Sequence, residues 1–496
     1  MVSNTTVINS AVLSAKWSAL AEFVTKTIPP AIFIILALLL TPEDFGLVAT
    51  AMIFISFCQV FCEAGLGKAL IQTNEPPEKA ADIAFWSNLI LSFLVYILIF
   101  IASPWLAHFF NSPETRPVLR ILGLQIIINS FAGVQQALFL RDFKFRPLFW
   151  IRLLTTLLPG LISIPMAYLG YGVWALVTGS LLGSMTTMIM LWHKSPWRPS
   201  IHFEWNLARK IYIFAFWALG EGLALWFFSW GDNLLVGKYL GVKDLGVYRV
   251  GWQISAIIFG TLLRPIVPVI YSAFSRLQAN PAKMKQTYRK INRIIISISL
   301  PVGAILFMIG TKSVFLTFGE SWHGLGMVVG TIGLMHGAAW IVNINPEMYR
   351  AIGRPDLNTK LMIATILYYL PAYLIAAPLG LKVFAYTRLG VGVLAIPIHV
   401  LLCIRVFGIS FHSLWKDWQP MVISTIAMAA MIWVLLMIIP INGNDAARLI
   451  NLAIIIVSGV VIYGFTLLCL DKKFIFDSWK IFKTALMGSN GLTVTS

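Results

Sequence analysis

The sequence predicts an all-α polytopic membrane protein of about 14 transmembrane helices, arranged as two six-helix repeat bundles plus two C-terminal helices, and three observations carry that prediction. The 496 residues are 58% hydrophobic and only 11% charged, with a mean hydropathy of +0.83, against roughly 25% charged residues in a soluble domain. Apolar runs of about 20 residues, the length that crosses a bilayer, recur along the whole chain. Loops rich and poor in Lys and Arg alternate between those runs, as correctly counted spans require.

Taken in order, the first six runs fall near 12–40, 45–71, 80–104, 117–140, 147–169 and 172–193. A polar stretch, 194–208, separates them from six more near 209–237, 245–274, 288–311, 323–347, 359–378 and 383–406. Two further runs, 418–440 and 446–470, lead to a basic end. The expected organisation is therefore a first bundle over 1–193, a linker over 194–208 and a second bundle over 209–410. Two extra spans follow over 411–470, then a cytoplasmic tail over 471–496.

The cations test this register. With the N-terminus inside, 25 of the 37 Lys and Arg residues fall in inside loops and 7 in outside loops or their edges. A missed helix would scramble that asymmetry, so both termini are expected on the cytoplasmic side. The remaining five, Lys26, Arg152, Arg249, Arg264 and Arg388, lie within apolar runs.

Other classes lose ground on composition. The net charge of +17 sits in short clusters between apolar runs, which suits loops near anionic lipid and gives no basic arm for nucleic acid. Cys58, Cys62, Cys403 and Cys469 all lie inside apolar runs and read as small hydrophobes. The first twenty residues lack the charged and apolar regions of a signal peptide. No G-x-x-x-x-G-K-[ST] loop is present, which argues against an ATP-driven exporter.

An internal repeat organises the runs. Leu40, Asp44 and Gly46 recur as Leu240, Asp244 and Gly246. Arg141 after the fourth run recurs as Arg350 after the tenth, and the Leu169–Gly170 turn recurs as Leu379–Gly380. Three echoes in order, at equivalent places, point to duplicated halves, the common architecture of alternating-access transporters.

Several segments carry a family resemblance. AKWSAL (15–20), EDFGLVA (43–49), GLGKALIQ (65–72), GYGVWALV (170–177), PWRPS (196–200), DNLLVGKYLG (232–241) and FGESW (318–322) resemble Wzx-type polysaccharide flippases. The closest likeness is to the colanic-acid-exporter branch of the multidrug/oligosaccharidyl-lipid/polysaccharide exporter superfamily. The resemblance runs from about residue 15 to 410. It implies two six-helix bundles in a V around a central cavity. It also implies export of undecaprenyl-diphosphate-linked repeat units across the bacterial inner membrane, with no catalytic residue and no cofactor. Lipid-linked oligosaccharide and membrane are the implied partners, with a polysaccharide polymerase or chain-length regulator alongside. The last two spans resemble a variable C-terminal extension.

Such a task calls for cations inside the bundle, because a diphosphate is anionic and Arg matches its oxygens in bidentate fashion. Ionisable residues at membrane depth are costly, about 2.5 kcal/mol or more, and so are functional candidates. The substrate-binding candidates are Arg249 and Arg264 on the eighth run, Lys26 on the first, Arg388 on the twelfth and Arg120 near the outer end of the fourth. Arg264 stands beside Pro265 and Pro268, where a break is expected; its alternative is to snorkel. Glu22 and Lys26 are spaced i,i+4 and read either as a structural pair or as a proton carrier beside a substrate cation. Glu221, Asp232 and Glu63 join Glu22 as candidates for H⁺ or Na⁺ coupling. Asp232 has the alternative of capping its helix, and Glu63 that of pairing with Lys68. His336 and Arg152 are weaker candidates, as are Trp226, Trp230, Trp252, Trp340 and Asn343 for sugar contact.

Two alternatives belong to other classes. A membrane glycosyltransferase or polymerase needs an extracytoplasmic catalytic loop, and the outside loops here are about 5–15 residues. A cation-coupled multidrug antiporter would share the fold but favours a carboxylate-rich cavity. Here five intramembrane cations face about four carboxylates, which leans towards an anionic cargo.

Overall fold

The structure, a computed structural model, describes residues 28–62, 67, 70, 77–142, 145–201, 204–439 and 445–486. They are helical nearly throughout, which is how a chain in hydrocarbon satisfies its own backbone. By contact the chain forms two units: Met1–Val250 with Tyr373–Leu381, and Gly251–Ala372 with Lys382–Ser496.

In the first unit the helices are α1 (Ile28–Leu39), α2 (Pro42–Cys62), α3 (Pro77–Phe109), α4 (Thr115–Arg141), α5 (Phe145–Tyr168) and α6 (Val173–Lys194). The long α7 (Trp205–Leu263) starts there and runs on into the second unit. Helix α3 pairs with α4 and α5 with α6, while α4 also packs on α2 and α6. The apolar surface turned away from these contacts is large: in α3, Leu94 is 60% and Leu98 63% exposed. Such side chains face lipid rather than water.

The second unit holds α8 (Val267–Leu277), α9 (Pro281–Phe318), α10 (Leu325–Ala339), α11 (Asn345–Ala351), α12 (Asp356–Ala376), α13 (Leu381–Phe407), α14 (Phe411–Ile438), α15 (Asp445–Leu470) and α16 (Lys472–Leu486). Helix α9 lies along α10 and α14, and α14 along α15. A polar network ties these helices at one end. Arg289 grips Asp417 with Nε at 2.6 Å and Nη2 at 3.0 Å. Arg293 donates to Asp471, and the Trp418 indole donates to Asn292 at 2.6 Å.

Eleven helices among the described residues are long and apolar enough to cross a bilayer. One of them, Trp205–Leu277, runs 73 residues and covers the expected seventh and eighth spans. It breaks at Gly241, whose φ of 86° and ψ of 179° no helix accommodates and which glycine adopts without a Cβ clash. Shorter apolar helices, Ile28–Leu39 and Leu325–Ala339, stand where the first and tenth spans were expected.

Three details add to the expected organisation. Helix α9 starts at Pro281, about two turns before the expected 288, because Lys283, Lys285, Arg289, Lys290 and Arg293 extend it beyond the apolar window. The described stretch 195–201 is docked on α3: Ser200 donates from N (3.0 Å) and Oγ to Asp82, and the Trp86 indole donates to the Ser200 carbonyl at 3.0 Å. The expected tail is helical over Lys472–Leu486. It is amphipathic, with Phe474 and Ile475 packed on the core and Phe476 and Trp479 exposed, the pattern of a helix lying at an interface.

The repeat has a physical counterpart within the first unit. A Cβ on Gly46 would stand 1.9 Å from the Val242 carbonyl oxygen, and one on Gly246 would stand 1.8 Å from that of Pro42. Glu43 and Lys243 form an ion pair at 3.2 Å across the same crossing. Each half of the echo thus packs on the other. The two echoed turn glycines, Gly170 (φ 82°) and Gly380 (φ 103°), also share a positive φ.

Candidate cationic substrate site

The break that Pro265 and Pro268 impose is a single 3₁₀ turn, Arg264–Ile266, before α8. It leaves Leu263 buried in the core and Arg264 exposed. Arg264 makes no hydrogen bond or ion pair among the described residues. Helix α13 presents Arg388, half-buried, and α10 presents His336, half-buried. The imidazole lies between Phe259, with centroids 5.7 Å apart, and Trp252, at 6.3 Å, and its Nδ1 is buried without a hydrogen bond. Arg388 and Arg264 both stand close enough to act on this imidazole electrostatically. Arg264 from the 3₁₀ turn, Arg388 from α13 and His336 from α10 thus all belong to the second unit. Their donors suit phosphate oxygens, with bidentate geometry from each guanidinium.

Arg249 belongs to the first unit. Its guanidinium lies over the Trp230 ring at 4.7 Å, a contact that holds a cation partly out of water. Beside it in sequence, Tyr248 donates from its hydroxyl to Asp232 at 2.6 Å. The other Asp232 oxygen accepts from the Asn233 backbone at 2.8 Å and its amide at 2.7 Å. Asp232 is 3% exposed and lies inside α7. It is a buried, hydrogen-bonded carboxylate, so its reading as a helix-end cap is corrected: the chain stays helical for two more turns, to the break at Gly241.

The remaining candidates scatter. Arg120 clamps α4 to α3, donating to Ser103 Oγ at 2.7 Å and the Phe100 carbonyl at 3.3 Å, with its guanidinium 4.0 Å over the Phe100 ring. Glu221 is exposed on α7, Arg152 is half-buried on α5, and Asn343 is exposed. Trp226 is buried and donates to Ser56 at 2.9 Å, which ties α7 to α2; Trp340 is a core residue. Glu22, Lys26 and Glu63 lie outside the described residues. Sequence reasoning missed Tyr248 as the partner of Asp232, although the sixteen-residue spacing across a glycine break was a signal. It also counted Arg289 and Arg293 only as loop cations, when they are structural ties to Asp417 and Asp471.

The chain resembles known proteins. The chain is 24% identical over 321 residues to the succinoglycan biosynthesis transport protein ExoT of Rhizobium meliloti, covering 65% of each chain. It is 21% identical over 373 residues to the lipopolysaccharide biosynthesis protein WzxC of Escherichia coli, covering 74% of this chain and 75% of that one. The match thus spans just under two thirds of the length of the first and three quarters of the second. Among solved structures, a lipid II flippase MurJ in an inward closed conformation superposes with a TM-score of 0.75 at 15% identity, over 93% of this chain and 100% of that one. That likeness shows a shared polytopic helical fold. Residues 35–326 match the family described as "Polysaccharide biosynthesis protein", and with more than half its length so matched, the chain belongs to that family.

Proposed function

We propose that the chain is a flippase that moves undecaprenyl-diphosphate-linked oligosaccharide repeat units across the bacterial inner membrane by alternating access, in exopolysaccharide or lipopolysaccharide assembly. The observation that carries this reading is the presence of Arg264 and Arg388 within electrostatic reach of His336 in the second unit. An anionic headgroup needs such a place on its way through about 30 Å of hydrocarbon. The protein makes and breaks no covalent bond; its work is binding and conformational exchange, and it is a transporter rather than an enzyme.

In this reading Arg264 and Arg388 hold the diphosphate, while Arg249 on its Trp230 platform meets the headgroup at a second point. Asp232, with Glu221, is the candidate coupling carboxylate for H⁺ or Na⁺, with Glu22 and Glu63 from the sequence. Both termini face the cytoplasm, as the excess of Lys and Arg in alternate loops supports. A polysaccharide polymerase or chain-length regulator is the natural partner for the product.

The test is headgroup translocation in proteoliposomes, with a fluorescent diphosphate-linked oligosaccharide and a membrane-impermeant reagent reporting sidedness. Wild type is expected to flip the lipid, and Arg264→Ala and Arg249→Ala to fail. Export of an organic cation by a wild type that flips no lipid would overturn the reading in favour of a cation-coupled multidrug antiporter.

A further inference from the structure

Helices α2, α3, α4 and α6 of the first unit line an open cavity of about 450 Å³, within the roughly 300–1,000 Å³ of small-ligand sites. Four carboxamides line it: Gln59 from α2, Asn88 from α3, and Asn129 and Gln136 from α4. Asn129, Gly133 and Gln136 follow one another at spacings that share a helix face. A Cβ at Gly133 would stand 3.7 Å from the Asn88 amide nitrogen, so the glycine keeps that face open to the amide. None of the described lining residues is charged.

These amides are unspent. Asn88, 9% exposed, accepts one long contact from Ser92 at 3.4 Å, and its amide nitrogen donates to no described protein group. Gln59, Asn129 and Gln136 make no side-chain hydrogen bond among the described residues. A structural amide in a membrane bundle bonds a neighbouring helix, because leaving it unpaired in hydrocarbon is costly. Gln59 and Asn129 are half-buried and Gln136 is exposed; four amides that line one cavity without a described protein partner fit a ligand or water in it.

The chemistry of the lining selects the ligand. A carboxamide offers two donors and an acceptor at fixed separation, which matches adjacent hydroxyls that each donate and accept. Ile126, Val134 and Ala84 supply apolar wall between the amides, as the C–H faces of a pyranose require. We propose that this cavity is a saccharide subsite for an uncharged sugar unit of the transported headgroup. The proposal rests on the lipid-linked oligosaccharide reading and adds to it a recognition element built entirely within the first unit.

The test measures saturation transfer by NMR from the purified full-length chain in micelles to the neutral disaccharides maltose, cellobiose and chitobiose, with flipping followed in proteoliposomes. Two variants are used: the near-isosteric pair Asn129→Leu with Gln136→Leu, and Gly133→Leu, which fills the cavity and leaves the amides in place. The expected result is wild-type binding to at least one disaccharide, not displaced by pyrophosphate, and weakened roughly tenfold or more in both variants, through lost hydrogen bonds in the first and lost space in the second. Both should melt no lower than about the wild type, since the amides are not structural, and lipid flipping should slow in parallel. Undiminished binding in both variants, or no binding by wild type to any of the three, overturns the subsite, whereas the flippase reading survives if wild type still flips lipid. Binding lost in the variants with flipping unchanged assigns the cavity to free sugar and overturns its role in the headgroup. Binding lost in the variants while wild type flips no lipid keeps the sugar site and sinks the transport reading instead.

Discussion

Gly46 and Gly246 face each other's half of the repeat: each leaves room for a backbone carbonyl, of Val242 and Pro42 respectively, where a Cβ would intrude to less than 2 Å. The two glycines are 200 residues apart and occupy the same place in the two echoed segments. A backbone obstacle cannot rotate aside as a side-chain tip can. The crossing of α2 with the start of the second half of α7 is therefore set by the missing side chains.

That contact makes the sign of a substitution diagnostic. Alanine in a helix is favoured over glycine by about 1 kcal/mol, whereas overpacking costs about 1–3 kcal/mol. Gly46→Ala and Gly246→Ala are each expected to lower the melting temperature in micelles. The double variant should lose less than the sum, because both relieve one crossing. Either alanine variant melting above wild type would refute the close approach.

Arg264 and Arg388 are expected to require guanidinium geometry and not charge alone. Lysine keeps the charge but loses the fork that meets two phosphate oxygens. Arg264→Lys and Arg388→Lys should each slow lipid flipping roughly tenfold, a loss of about 1.4 kcal/mol of transition-state or binding free energy. Lysine variants that flip at the wild-type rate would reduce these residues to point charges.

Asp417 holds Arg289 in bidentate fashion, with Arg293 also near at 3.9 Å. Its side chain is 9% exposed and that of Arg289 38%, between the exposed case of about 0–1 kcal/mol and the buried case of about 3–5 kcal/mol for loss of a partner. Asp417→Asn is expected to destabilise by about 2 kcal/mol, read as a fall in melting temperature. In a double-mutant cycle with Arg289→Gln, strict additivity would show that the pair contributes nothing.

Ser200 is held by Asp82, so the strap from residue 195 to 201 is expected to come free in Asp82→Ala. Limited proteolysis of proteoliposomes from the accessible side should then cut faster between residues 194 and 208. An unchanged cutting rate would show that Trp86 alone suffices to hold it.

Asp232 has both oxygens occupied by Tyr248 and Asn233. As the coupling carboxylate it predicts that Asp232→Asn still flips lipid down its own gradient but no longer responds to an imposed proton or sodium gradient. Tyr248→Phe should shift that response without abolishing it. A full gradient response in Asp232→Asn would remove this residue from the coupling path.

The spans were legible because hydropathy is additive along a chain: a run such as 80–104 declares its solvent whatever it later touches. The break at Pro265 was legible too, since proline acts on its own backbone. The start of α9 was not, because a helix continues past the hydrocarbon wherever its basic turns find water and lipid headgroups. Arg289 read as an inside cation and proved also to be a tie, since its partner Asp417 lies 128 residues away and nothing local announces it.

By itself the sequence determined that this protein lives in a bilayer, roughly where most of its apolar helices fall, how its loops alternate in charge, and that Asp44–Gly46 echoes Asp244–Gly246. Those properties arise from local composition and covalent spacing. Only the tertiary structure decided that the echoed segments pack on each other, and that Arg264 and Arg388 act on His336 while Arg120 is spent on Ser103. It alone decided that four amides on three helices share a cavity. Each depends on which helix faces which, and that is settled by close packing between residues far apart in the chain, where a missing Cβ or an unpaired amide matters only in the presence of its neighbour.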